Sequence, residues 1–162
     1  MIQERLKELR AQMQERGIDI YIVPTSDFHQ SEYVGEYFKA RKYMTGFTGS
    51  AGTAVITKEE AGLWTDGRYF IQAEKQLEGS TVKLFKMGEE GVPKVEEYVK
   101  DHLTEGSCIG FDGRVMDAKS GEKSGSLCQR GLSRKYLEGQ TATSGKQSLD
   151  LRGCLCRKKH GR

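Results

Sequence analysis

Residues 53–66, TAVIT-KEE-AGLWTD, decide the fold. Two short apolar runs, Thr53–Thr57 and Ala61–Asp66, flank the charged triplet Lys58-Glu59-Glu60, and that is the pattern of a β-hairpin. Immediately upstream lies a glycine-rich stretch, Gly46 to Gly52 (GFTGSAG). Immediately downstream, Arg68 to Leu77 reads as a helix with Phe70, Ile71, Ala73, Glu74 and Leu77 spread around it. A glycine loop therefore feeds a hairpin, and the hairpin feeds a helix.

Toward the N-terminus, Ile2, Leu6, Leu9 and Met13 recur at helical spacing, and Gly17 supplies a left-handed stop, which predicts a helix over 2–16. Asp19 to Val23 (DIYIV), closed by Pro24, reads as a buried strand. Ser26 or Asp27 can cap a second helix through about Phe38, with Tyr33, Tyr37 and Phe38 facing inward. Toward the C-terminus, Thr81–Met87 reads as a strand. Pro93 opens a helix through Leu103 with Val95, Tyr98, Val99 and Leu103 as its apolar stripe, and 107–112 reads as a last strand. The order helix–strand–helix–hairpin–helix–strand–helix–strand predicts an α/β layer fold with a mixed sheet flanked by helices. No internal repeat is visible.

The chain has 162 residues, 36% hydrophobic and 30% charged, with two prolines, as expected of a globular chain. No window holds the roughly 18 consecutive apolar residues of a membrane span. The leading MIQERLKELR is charged from its third residue and has no apolar signal core, so the expected compartment is the cytoplasm.

The net charge of +3 hides a division. Residues 1–121 carry 16 Lys and Arg against 20 Asp and Glu, whereas residues 122–162 carry 10 against 3. Of 14 aromatic residues only Tyr136 lies beyond Gly121, and the last 41 residues contain no Val, Ile, Phe, Met or Trp. Such a segment has little to bury against an ordering cost of about 1–2 kcal/mol per residue. The expectation is a foldable domain over 1–121 and a largely irregular, disordered tail over 122–162.

The motifs for chemistry are few. The glycine-rich stretch lacks the spacing and the Lys-Ser/Thr ending of a P-loop and precedes a hairpin, so it reads as a structural turn. His29, His102 and His160 stand alone, and the set Cys128, Cys154, Cys156 and His160 has no recognised ligand spacing, so no metal is expected in this chain. Arg152 and Arg157-Lys158-Lys159 would attract nucleic acid without specificity, and no nucleic-acid motif accompanies them. Asp66-Gly67-Arg68-Tyr69, after Trp64-Thr65, is the most site-like cluster. It sets a carboxylate, a guanidinium and a phenol where a strand gives way to a helix, a usual place for ligand contacts. The simpler reading is an Asp–Arg pair that fixes the corner.

At these residues the chain resembles a known family. DIYIVPTSDFHQSEYVGEYFKARKYMTGFTGSAGTAVIT followed by AGLWTDGRYFIQAEKQL is similar to the N-terminal domain of cytosolic Xaa-Pro aminopeptidases, in the creatinase/prolidase family of metallopeptidases. The paired motifs GFTGSAGTA and LWTDGRYFIQA carry the likeness, which runs from Met1 to about Gly121. The resemblance implies an α/β N-terminal domain that does not hold the catalytic metals. In the family a separate C-terminal domain binds a dinuclear centre, commonly manganese, through two Asp, one His and two Glu. There a metal-activated water attacks the bond preceding proline. The isolated chain is accordingly expected not to be catalytic. The family's N-terminal domain also helps form the dimer and lines the approach to the active site. By motif match, Asp27, His29, Glu32, Tyr33, Arg41, Phe47, Trp64, Asp66, Arg68 and Tyr69 are the expected surface candidates, with Gly46, Gly49, Ser50 and Gly52 shaping the turn. The expected partner is a second copy or the full-length aminopeptidase, which also frames the alternative of a stand-alone binding module. Neither a membrane nor a specific nucleic acid is expected.

The tail has a further reading. With an AGG codon for Arg134 and AAA TAT CTG GAA GGA CAG ACC GCC ACT for Lys135 to Thr143, translation from the second base gives GNIWKDRPP, which resembles the family's segment around IWKDRP. In the same frame Lys146 to Arg157 can be read as SKVWILEDVYAG, again family-like. The tail is therefore expected to be a displaced frame, entered between about Gly121 and Ser124.

Overall fold

A computed structural model describes residues 1–26, 34, 39–112 and 154–155. Helix α1 spans Ile2–Arg16 and buries Leu6, Leu9 and Met13 on one face. Gly17 closes it at φ 67°, and the N–H of Ile18 returns to the carbonyl of Met13. A left-handed residue at that point costs a glycine nothing, which is why the helix stops there. Strand β1 (Ile20–Pro24) follows after only three residues.

Of the expected helix from Ser26 or Asp27 to about Phe38, only Ser26 and Val34 are described and neither is helical; the other residues lie outside the described residues. A short helix that the sequence reading did not assign, α2 (Ala40–Thr45), precedes the glycine-rich stretch. Six residues make fewer than two turns, too few to set up a visible apolar period. Its stop is Gly46, at φ 78°.

The hairpin forms as expected. β2 (Thr53–Thr57) and β3 (Ala61–Thr65) pair antiparallel, with Ala54 opposite Leu63 and Val55 opposite Gly62. The following helix begins differently from its expected start. Gly67–Tyr69 form a single 3-10 turn, and α3 proper runs Phe70–Leu77. β4 (Val82–Lys86), α4 (Val95–His102) and β5 (Ile109–Phe111) lie inside their expected ranges.

The sheet order is β4-β3-β2-β1-β5, with β6 (Cys154–Leu155) beyond β5. β1 pairs antiparallel with β2 and parallel with β5, and β3 pairs parallel with β4, so the sheet is mixed. The two residues of β6 come from the tail and pair antiparallel with β5. They depart locally from the expectation of an irregular tail, because main-chain pairing asks nothing of the side chains. The remainder of 122–162 lies outside the described residues.

Both faces of the sheet are covered. Tyr21, Val23, Ala54, Ile56 and Leu63 pack in one cluster with Leu6, Leu9 and Met13 of α1 and with Ala73 and Leu77 of α3. Ile20, Ile22, Val55, Trp64, Ile109 and Phe111 pack in the other with Tyr98 and Val99 of α4. Alternate residues of one strand thus serve opposite layers. This explains why the strand sequences read as continuous apolar runs instead of alternating ones. Among the described residues no helix is long and apolar enough to cross a membrane.

Candidate functional site

The end of the sheet where β2 starts and β3 finishes gathers the glycine-rich loop, α2 and the start of α3. Thr65, at the end of β3, donates its hydroxyl to the carbonyl of Ala51 at 2.8 Å, and Thr25 donates to that of Gly52 at 2.6 Å. These bonds hold the loop across the strand ends. On its other side Thr48 accepts from Gln72 at 2.9 Å and from Gln76 at 2.8 Å, which fastens the loop to α3.

Within this frame Asp66, Arg68 and Tyr69 make the corner. Asp66 is the cap of the 3-10 turn, and its Oδ1 accepts from the Arg68 backbone N–H at 3.1 Å. The Arg68 side chain grips the same carboxylate through Nε to Oδ1 at 2.9 Å and Nη2 to Oδ2 at 2.8 Å. Hydrogen bonding from Arg68 holds the Asp66 carboxyl below its ordinary range. Tyr69 shares a 2.6 Å hydrogen bond between its hydroxyl and that of Ser50, and its ring meets Phe47 edge-on. Neither hydroxyl has a base beside it in these contacts, so the pair positions the loop. Gly49 is needed where it stands, since a Cβ there would lie 2.3 Å from the Phe47 ring and 2.9 Å from the Tyr69 ring.

Three of the expected surface residues are interior. Trp64 and Phe47 are fully buried and Arg41 is 4% exposed. Trp64 donates its indole N–H to the Pro93 carbonyl at 2.8 Å. Arg41, on α2, donates from Nη2 to the carbonyl of Gly49, and its guanidinium lies 4.7 Å over the Phe47 ring. Burial pulls its pKa down to about 10, which leaves it protonated at neutral pH. Asp27, His29, Glu32 and Tyr33 lie outside the described residues. The structure therefore brings together Arg41, Phe47, Gly49, Ser50, Asp66, Arg68 and Tyr69, and assigns Trp64 to the core.

A second polar cluster was not read from the sequence. Glu60, at the hairpin turn, accepts from Lys83 at 2.5 Å and from the Tyr98 hydroxyl at 3.2 Å. The Tyr98 ring stacks on His102 with centroids 3.9 Å apart. Burial first, and then the Glu60 carboxylate, push the Tyr98 hydroxyl up to about 12. The only sequence signal was the helical spacing of Tyr98 and His102, which says nothing of Glu60.

Residues 5–130 match the creatinase/prolidase N-terminal domain family, a range that continues past Gly121. Aminopeptidase P2 of Arabidopsis thaliana is 47% identical over 125 residues, which is 76% of this chain and 18% of its own length. The X-prolyl aminopeptidase of Caenorhabditis elegans, described as a cytosolic enzyme with a di-nuclear active site, superposes with a TM-score of 0.72 at 35% identity. That match covers 79% of this chain and 23% of the other. The N-terminal domain of the cytoplasmic peptidase PepQ from Mycobacterium tuberculosis superposes with a TM-score of 0.52 at 26% identity, over 76% of this chain and 84% of that domain. The chain thus spans about a fifth of the length of the curated relatives it matches.

Proposed function

Because the chain belongs to the creatinase/prolidase N-terminal domain family, we propose that it acts as the non-catalytic N-terminal domain of a cytoplasmic Xaa-Pro aminopeptidase. In this reading it lines the approach to a catalytic centre supplied by other residues. The observation that carries it is what the polar side chains of the candidate site do. Asp66 is closed by Arg68, Arg41 grips the loop carbonyl of Gly49, and Ser50 and Tyr69 hold each other. These contacts build a rigid rim.

A dinuclear metal does not fit the described residues. No group of three or more His, Cys, Asp or Glu side chains among them converges to hold an ion. Glu60 and Glu74 are engaged by Lys83 and Lys86.

The test is an assay on the purified chain with a peptide bearing proline in second position, with and without added manganese. The expected result is no turnover in the fraction that elutes at the size of the chain. Turnover that co-elutes with it overturns the reading. Mixing the chain with an intact Xaa-Pro aminopeptidase adds a second readout. Co-elution, with a change in the enzyme's rate, would move the conclusion to a stand-alone module that binds the enzyme.

The same reading assigns the basic tail to a displaced frame. What supports this is the coincident change in charge and aromatic content beyond Gly121.

A further inference from the structure

The run of strands β4-β3-β2-β1-β5 ends in two unlike outer strands. β4 carries Lys83 and Lys86, held by Glu60 and Glu74, and charged side chains on an outer strand discourage pairing with another chain. β5 is Ile109-Gly110-Phe111, apolar and buried throughout, and carries no such charge. Its main chain also faces outward at a definite residue. The C=O of Cys108 accepts from the Ile20 N–H at 3.2 Å, and the Cys108 N–H donates to the Asp19 carboxylate at 2.7 Å. The peptide groups of Cys108 therefore point toward β1. Successive residues of a strand turn their N–H and C=O to opposite sides, so those of Ile109 point away from β1. Ile109 is 2% exposed, and buried main-chain groups need partners. Leu155 stands opposite Ile109 in the antiparallel pairing of β6 with β5, which makes these two the hydrogen-bonded pair.

We propose that the outward edge of β5 is a strand-acceptor site, and that Cys154–Leu155 occupy it as a detachable plug that keeps the edge from pairing with a second copy of the chain. β6 is two residues long, and residues 112–153 lie between it and β5. So short a pairing is weak, and the effective concentration that a tether provides falls with its length. The acceptor reads main chain, so it takes an extended segment that presents an N–H and a C=O at the position of Leu155. The tail thereby has a structural task whichever frame its codons belong to. None of this depends on the aminopeptidase-domain reading.

The experiment uses the full 162-residue chain with its thiols reduced. Hydrogen exchange followed by NMR reads the Ile109 amide, and sedimentation velocity reads self-association. Proline at 155 removes the N–H that faces Ile109, whereas proline at 154 removes one that faces away from β5 and leaves the pairing intact. L155P is expected to speed exchange of the Ile109 amide about tenfold or more and to form a dimer that grows with concentration. C154P is expected to behave as the wild type. A synthetic peptide of residues 151–157 is expected to restore slow exchange in L155P and to dissolve its dimer. Unchanged Ile109 exchange in L155P, or equal acceleration in C154P, overturns the acceptor site and its plug. Faster exchange in L155P without any dimer overturns the guarding role. If L155P does not fold, the wild-type chain with excess labelled peptide decides. A cross-strand Hα–Hα contact between peptide residue 154 and Gly110 supports the site, and its absence overturns it.

Discussion

The Trp64 indole lies flat on the Phe85 ring, with centroids 4.0 Å apart and planes 1° from parallel. The two residues are partners in the register of β3 and β4. Tyr98 meets both edge-on, at 4.9 Å and 5.3 Å, so α4 seats on an aromatic platform built by two neighbouring strands. Gly62 makes room for it. A Cβ at that position would lie 2.6 Å from Cε2 of Phe85 and 2.6 Å from Cζ3 of Trp64.

Gly62→Ala is therefore expected to destabilise the domain by about 1–3 kcal/mol, the usual cost of overpacking a filled core. Urea denaturation followed by Trp64 fluorescence measures it. A change within a few tenths would show that the platform yields without strain.

Tyr98 couples stability to alkaline pH. Its folded pKa, about 12, lies above the ordinary value of 10.0. A group raised in the fold contributes stability that is whole below its unfolded pKa and is lost as pH rises through the folded one. Between about pH 10 and 12 the thermal midpoint is accordingly expected to fall relative to that of Tyr98→Phe, a comparison in which the opposite contribution of Arg41, depressed to about 10, cancels. Tyr98→Phe should remove the last phenolate step from an ultraviolet titration. If that step persists in the variant, Tyr98 does not carry it.

Asp66 works in the opposite direction. Its carboxyl is held below the ordinary 3.8, chiefly by the hydrogen bonds from Arg68. Its contribution is present above that ordinary value and fades as pH falls through the lower folded one. The Asp66–Arg68 ion pair is exposed to solvent and contributes little by itself. The cap matters more. Asp66→Ala is expected to cost about 1 kcal/mol, while Asp66→Asn, which keeps a capping oxygen, costs only a few tenths. Equal losses in the two variants would mean that charge, and not the cap, holds the corner.

The displaced-frame reading of the tail predicts the nucleotide sequence around codons 115–162. A second frame there should encode GNIWKDRPP and, further on, SKVWILEDVYAG. Absence of both removes the frame reading, and the tail then stands as a segment in its own right.

Much of this was legible in the order of residues. The apolar period of α1, its stop at Gly17, the β2–β3 hairpin and the stripe of α4 are local signals, each set by neighbours within a few positions. The motifs GFTGSAGTA and LWTDGRYFIQA carried the family, and the pair Asp66 and Arg68 lies only two residues apart. What escaped the sequence is what long-range packing creates. α2 is too short to show a period. Trp64 and Phe47 look like exposed aromatics in a motif until the layers of helix close over them. Glu60 and Tyr98 lie 38 residues apart, and Thr48 and Gln76 lie 28 apart. Such contacts depend on strand order and layer, which no local window contains. The charge of Arg41 is plain in the sequence. Its burial against the Phe47 ring and the Gly49 carbonyl is a property of the space around it, and only the tertiary structure decides which groups share that space.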